Sequence, residues 1–188
     1  MATKVITGKV RFSFVNIFEP QKNDDGTDGK YGVTLLIPKS DTATLGKIKE
    51  AMAEAREVFC KRNGVSALPQ KPNHTLHDGD GTKDNGEPYG PECKGHYVIS
   101  VSSKQKPVIV DNDRNPITDS NEVYSGCYGR AAINFYGYSR NGKKGISAGL
   151  QSIQKLHDGE PLGGARGSAD DFADDFKDDD DDFLGGDF

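Results

Sequence analysis

Between residues 6 and 14 apolar and polar positions alternate: Ile6, Gly8, Val10, Phe12 and Phe14 on one side, Thr7, Lys9, Arg11 and Ser13 on the other. A period of two marks a half-buried strand, here with a basic outer face. Residues 23–29, NDDGTDG, are turn chemistry, and the nearly continuous apolar run from Tyr31 to Ile37 stops at Pro38. The two runs predict a hairpin. The period then changes. Ser40 or Asp41 caps a helix of roughly twenty residues in which Leu45, Ile48, Met52, Ala55 and Phe59 recur at helical spacing. Lys47, Lys49, Glu50 and Glu54 take its opposite face. Lys61 and Arg62 lie in the last turn, where the helix dipole favours cations, and Asn63-Gly64 ends it.

From Val65 to Gly95 no period survives; Gly, Pro and charged residues intermix, which predicts a long excursion. Tyr97 to Val101 reads as a third strand and Val108 to Val110 as a fourth. Ala131 to Tyr138 and Gly145 to Ile153 are a fifth and sixth, joined across Asn141-Gly142, a strong hairpin signal. One helix among five or six strands with Gly-rich turns predicts a mainly β domain, a small barrel or a sandwich, over residues 1–158. A Gly/Pro linker over 159–168 leads into a tail over 169–188.

The tail changes the charge picture. It holds ten Asp, one Lys and four Phe, so its net charge is −9 against −5 for the whole chain, and the remaining body carries +4. Such a segment cannot bury a core and is expected to be disordered. Its rings are nonetheless regular: Phe172, Phe176, Phe183 and Phe188 each follow acids, with Asp180, Asp181 and Asp182 before Phe183 and Asp187 before Phe188. Repeated carboxylates followed by a ring suit a docking peptide, in which charge steers the encounter and Phe fills a partner's pocket. A mildly basic body joined to an acidic end points to a nucleic-acid surface, or to a tail that competes with one. No run approaches the roughly 18 apolar residues of a membrane span, so no membrane partner is expected. Cys60, Cys93 and Cys127 lie in unrelated contexts and are expected to be reduced thiols.

Candidate chemistry concentrates in YGRAAINFYGYSR, residues 128–140. Alternation gives Ala131, Ile133 and Phe135 to the core. The other face receives Tyr128, Arg130, Asn134, Tyr136, Tyr138 and Arg140, with Lys143 and Lys144 at the hairpin tip. Phenol rings two residues apart lie roughly 7 Å apart on one strand face. Unstacked bases can use such rings as platforms, while cations meet the phosphates. Lys9 and Arg11 on the first strand add to that face. The bland alternative is that the tyrosines simply pack beneath the long loop.

Catalysis finds no comparable home. His74, His77, Cys93 and His96 lack the paired spacing of structural zinc knuckles. Asp111, Asp113, Asn115 and Glu122 mimic a calcium loop, but Pro116 stands where that loop needs Gly. No nucleophile elbow, phosphate loop or paired catalytic carboxylate is present. No enzyme activity, cofactor or metal is expected.

Several segments together resemble a known family: RFSFVNIFEP, KYGVTLLIPK, CKGHYVISVSSKQKPVIVD, VYSGCYGRAAINFYGY, NGKKGISAGLQSIQKLHDGEPLGG and the acidic tail ending in Phe188. The chain is similar to the single-stranded DNA-binding proteins of tailed bacteriophages, functionally similar to that of phage T7. The resemblance implies an OB-fold-like barrel of five or six strands with one helix and a disordered acidic C-terminal tail. It implies sequence-tolerant ssDNA binding in phage DNA replication, recombination and repair, in the cytoplasm of the bacterial host. It also implies a tail that recruits replication proteins, such as DNA polymerase or helicase-primase, and that occupies the DNA site when DNA is absent. A homodimer is left open. The chain has no Trp, so Tyr and Phe must do the stacking. Two rivals stand beside this reading: a protein-interaction adaptor without nucleic-acid binding, and a metal-dependent nuclease.

Overall fold

The computed structural model describes residues 3–64, 76–83, 85–140 and 143–162, with the side chains of Arg140 and Lys143 outside that description. The tail residues Phe172, Phe176, Asp180, Asp181, Asp182, Phe183, Asp187 and Phe188 lie outside the described residues, as do His74 and the Asn141-Gly142 turn.

Eight strands and one helix are described: β1 Lys4–Ile6, β2 Val10–Asn16, β3 Tyr31–Pro38, α1 Thr42–Asn63, β4 Leu76–Asp78, β5 His96–Ser103, β6 Val108–Val110, β7 Tyr128–Arg140 and β8 Lys143–His157. Five of them close a ring in the order β7, β2, β3, β5, β8, with β8 returning to β7. A five-stranded closed barrel of this kind is the OB architecture. β1 lies on an edge of β7, β6 runs parallel to β8, and β4 pairs with β5, which gives the three strands beyond the ring. Phe12, Leu35, Ile99, Val101, Ile133, Phe135, Ala148 and Ile153 fill the interior, all nearly inaccessible.

α1 closes the barrel against β7, β1 and β8. Asp41 is the cap residue: its carboxylate accepts the Thr44 N–H and hydroxyl, at 3.1 and 2.7 Å. Thr44 Oγ1 in turn accepts the Gly8 N–H at 2.9 Å, tying the helix start to the β1–β2 connection. Gly64 ends the helix in the left-handed conformation, φ 65°, with its N–H on the Cys60 carbonyl. Near the same end Gly137 lets Phe59 lie on β7; a Cβ there would stand 2.4 Å from the Phe59 side chain.

Four expectations change. The single alternating strand over 6–14 is two strands. Thr7 turns inward, fully buried, because its hydroxyl accepts the Ala131 N–H in place of a ladder carbonyl, at 3.0 Å. Ile6 is thereby turned outward and is 50% exposed. Further along, a bulge opens between Ser13 and Asn16. Val15 takes the place against the core, and Phe14 becomes the extra residue, 71% exposed at φ 47°. Finally, the 65–95 excursion contains β4 and a short 3-10 turn over Pro91–Cys93. Lys39, just past the end of β3, reaches over Tyr97 of β5 to bind Asp78 and Asp80, both at 2.7 Å, and fixes this loop on the barrel. Of the expected linker, Gly159 to Leu162 lie against the body: Leu162 donates its N–H to Ser125 and packs beside Leu36, Cys93 and Val98.

Candidate nucleic-acid interface

The outward face of the barrel is made of small residues. Ser13 stands opposite Thr34, and Thr34 opposite Ser100, their hydroxyls 3.3 Å apart. Gly32 stands opposite Ser102, Ser102 opposite Gly149, and Ser147 opposite Tyr136. Residues directly opposed in neighbouring strands point to the same side, so these form one floor across β2, β3, β5 and β8. Gly32 keeps it free of a side chain at that point: a Cβ there would come within 3.1 Å of the Val101 carbonyl.

Tyr136 and Tyr138 rise at one margin. Alternation along β7 holds as expected, with Ala131, Ile133 and Phe135 buried and Tyr136 39% exposed. Tyr138 lies over Gly145, where a Cβ would meet the ring at 3.0 Å. The two rings line a cleft of about 410 Å³ with Lys30, Lys104, Ser139 and Ser147. Lys30 and Lys104 also line an adjoining cleft of about 700 Å³ beside Gln21, Lys22, Asn23 and Ser102. One trough therefore runs from the tyrosines past two lysines to the β2–β3 turn. Lys22 is paired with Asp28. Among the described residues, Lys30 and Lys104 face no carboxylate within ion-pairing distance and remain exposed. Two rings, two free cations and a hydroxyl floor can hold a flexible polyanion that carries planar bases.

The other sequence candidates form a second group. Tyr128 is eight residues from Tyr136 on the same strand, about 26 Å away along it. Its ring stacks on His157 with centroids 4.8 Å apart, and Lys9 and Arg11 approach it at 5.7 and 5.4 Å. Arg11 is heavily engaged, donating to the carbonyls of Gly126 and Glu160 at 3.1 and 2.6 Å. Arg130 gives its Nε–H to the Thr7 carbonyl at 2.9 Å. Arg140 and Lys143 pair across the β7–β8 hairpin, and Lys144 sits opposite Ser139, half-buried.

Sequence reasoning missed Lys30, Lys104 and the floor. The signal was present: Gly32 and Thr34 alternate with Val33 and Leu35, and Ser100 and Ser102 with Ile99 and Val101. Among the described residues no group of His, Cys, Asp or Glu is arranged to hold a metal. The Asp111 carboxylate accepts the N–H groups of Asp113 and Asn115, both at 2.9 Å, which is turn chemistry. Burial pushes the Cys93 and Cys127 thiols above their ordinary pKa, the opposite of a reactive cysteine.

The family model described as the Enterobacter phage Enc34 ssDNA-binding protein matches residues 3–184. The chain belongs to this family. It is also 32% identical over 191 residues to protein p50 of Acyrthosiphon pisum secondary endosymbiont phage 1, covering 96% of this chain and 98% of that one. The Enc34 single-stranded DNA-binding protein solved in complex with ssDNA superposes with a TM-score of 0.73 at 27% identity, over 86% of this chain and 90% of that one. A further Enc34 structure gives 0.70 at 26% identity, over 92% and 90%. The single-stranded DNA-binding protein gp2.5 of bacteriophage T7 gives 0.59 at 14% identity, over 94% and 96%, a likeness of fold alone. The OB-type barrel with one helix is thus the Enc34 family's architecture.

Proposed function

We propose that this chain binds single-stranded DNA without sequence preference and without catalysis, in the trough between Tyr136, Tyr138, Lys30 and Lys104. The observation that carries the reading is the junction of two lysines, neither ion-paired among the described residues, with two rings over a floor of small side chains. Phosphates meet the ammonium groups, and bases stack on the phenols at about 1–3 kcal/mol each. Every base has a π-face, so stacking tolerates any sequence. Membership of the Enc34 family, with a relative solved on ssDNA, supports the same reading. Lys9, Arg11, Tyr128 and Arg130 extend the path, with weaker phosphate contact where Arg11 and Arg130 are already engaged. Arg140, Lys143 and Lys144 supply charge at the hairpin.

We further propose that the protein protects ssDNA during phage replication, recombination and repair in the host cytoplasm. Phe172, Phe176, Phe183 and Phe188 with their preceding acids are the docking units for DNA polymerase or helicase-primase, and the same acids compete with DNA for the lysines. Anisotropy titration of labelled oligo-dT against protein at several salt concentrations tests the core of this. Binding should weaken steadily with salt and differ little among dT, dA and mixed sequences. A salt-independent response, or none, would leave an adaptor; Mg²⁺-dependent shortening of the oligonucleotide would make it a nuclease.

A further inference from the structure

Phe14 has no role inside the fold that explains it. Its ring is 71% exposed, the greatest exposure of any large apolar side chain described, so burial does not hold it in place. Its backbone sits at φ 47°, a region that bulky residues adopt only under strain and that Gly or Asn would occupy more easily. The bulge itself is well anchored by other groups. Val15 donates its N–H to Ser125 Oγ at 3.2 Å, Asn16 Nδ2 donates to the Phe14 carbonyl at 3.2 Å, and Gly126 donates to the Phe12 carbonyl at 2.7 Å. The backbone that carries the ring is thus anchored with the side chain outward, in a conformation that disfavours it, next to Ser13 at the edge of the hydroxyl floor.

Strain of this kind is maintained at sites that act on something outside the fold. β2 pairs directly with β7 only at Val10 and Arg11, against Gly129 and Tyr128, seven or more residues from Tyr136; the other way round the ring, the row of small residues runs from Ser13 through β3, β5 and β8 to Tyr136. Phe14 and Tyr136 therefore stand at opposite margins of the same floor, with Thr34, Ser100, Ser102 and Gly149 between them. We infer that Phe14 is a second nucleobase platform, stacking one unpaired base at the far side of the trough from Tyr136. This inference rests on the ssDNA reading of the trough. A backbone already anchored in the bulge has no ordering left to undergo when a base covers the ring.

The test compares the full chain with Phe14→Asn, Phe14→Gly and Phe14→Tyr on two ligands: oligo-dT, and a base-free strand of equal length with the same phosphates. Phe14→Asn and Phe14→Gly should weaken dT binding about 5- to 150-fold. They should leave binding of the base-free strand and the salt slope unchanged, and melt at or above the wild-type temperature because strain is relieved. Phe14→Tyr should bind dT like wild type. Wild-type dT affinity in both truncations, or an equal loss on both strands, would overturn the inference while leaving the trough intact. A fall in melting temperature with equal losses on both ligands would assign the ring to folding instead. A wild type that fails to bind dT at all would remove the ssDNA reading and this inference together.

Discussion

Removing Lys30 and Lys104 together is the sharpest perturbation of the trough. Both side chains are exposed and, among the described residues, neither is engaged in an ion pair, so each is free to neutralise one phosphate. Lys22 is left out because Asp28 already neutralises it. On single strands each neutralised phosphate adds about −0.7 to the slope of log affinity against log salt. The Lys30→Ala/Lys104→Ala protein should therefore show a slope shallower by about 1.4. Between 50 and 200 mM salt that slope difference amounts to a factor of about seven. The mutant should be clearly weaker at low salt, and the two binding curves should converge as salt rises. Folding should barely change, since exposed unpaired lysines contribute within about ±0.5 kcal/mol. Lys47→Ala/Lys49→Ala, on the exposed face of α1, serves as a control of equal charge and should leave the slope alone. Anisotropy with labelled oligo-dT reads both quantities. An unchanged slope in the trough mutant, or an equal change in the helix control, would mean that the phosphates do not run past Lys30 and Lys104.

Three further outcomes follow from the same geometry. Gly137→Ala should cost about 1–3 kcal/mol or more, because its Cβ would fall 2.4 Å from Phe59; thermal melting at wild-type temperature would contradict the packing of α1 on β7. In the native protein a thiol reagent should label half-buried Cys60 first, while Cys93 and Cys127 react only on unfolding, since burial raises their thiol pKa and keeps the thiolate scarce at neutral pH; three equally fast thiols would refute this. Deleting residues 169–188 should tighten oligo-dT binding at low salt and less so near 0.15 M, where the Debye length is about 8 Å; equal affinity at low salt would leave the tail with docking alone.

Local rules made much of this fold legible. Asp41 and Gly64 bound the helix because capping and left-handed termination are decided within a few residues. The long β7–β8 hairpin follows from alternation and a two-residue turn, and the Arg140–Lys143 register agrees with it. Phe14 was misassigned to the core because a bulge depends on how β2 meets β3 and on Ser125, more than a hundred residues away. β4 was invisible because it is held by pairing with β5 and by Lys39 binding Asp78 and Asp80, not by its own pattern. The tyrosine half of the trough was readable from one strand. Its lysine half was not, since Lys30 and Lys104 are brought together only when β3 pairs with β5 across the intervening helix.

Where the strand lies on the barrel can be read by photocrosslinking. An oligonucleotide of dT carrying 5-iododeoxyuridine at single positions would be irradiated with the full-length protein and the modified peptides mapped. Adducts should form on Tyr136 or Tyr138, be competed by unlabelled dT and disappear in Tyr136→Ala/Tyr138→Ala. Adducts confined to Tyr128 and His157, or to the α1 surface, with the Tyr136–Tyr138 segment unmodified, would contradict it.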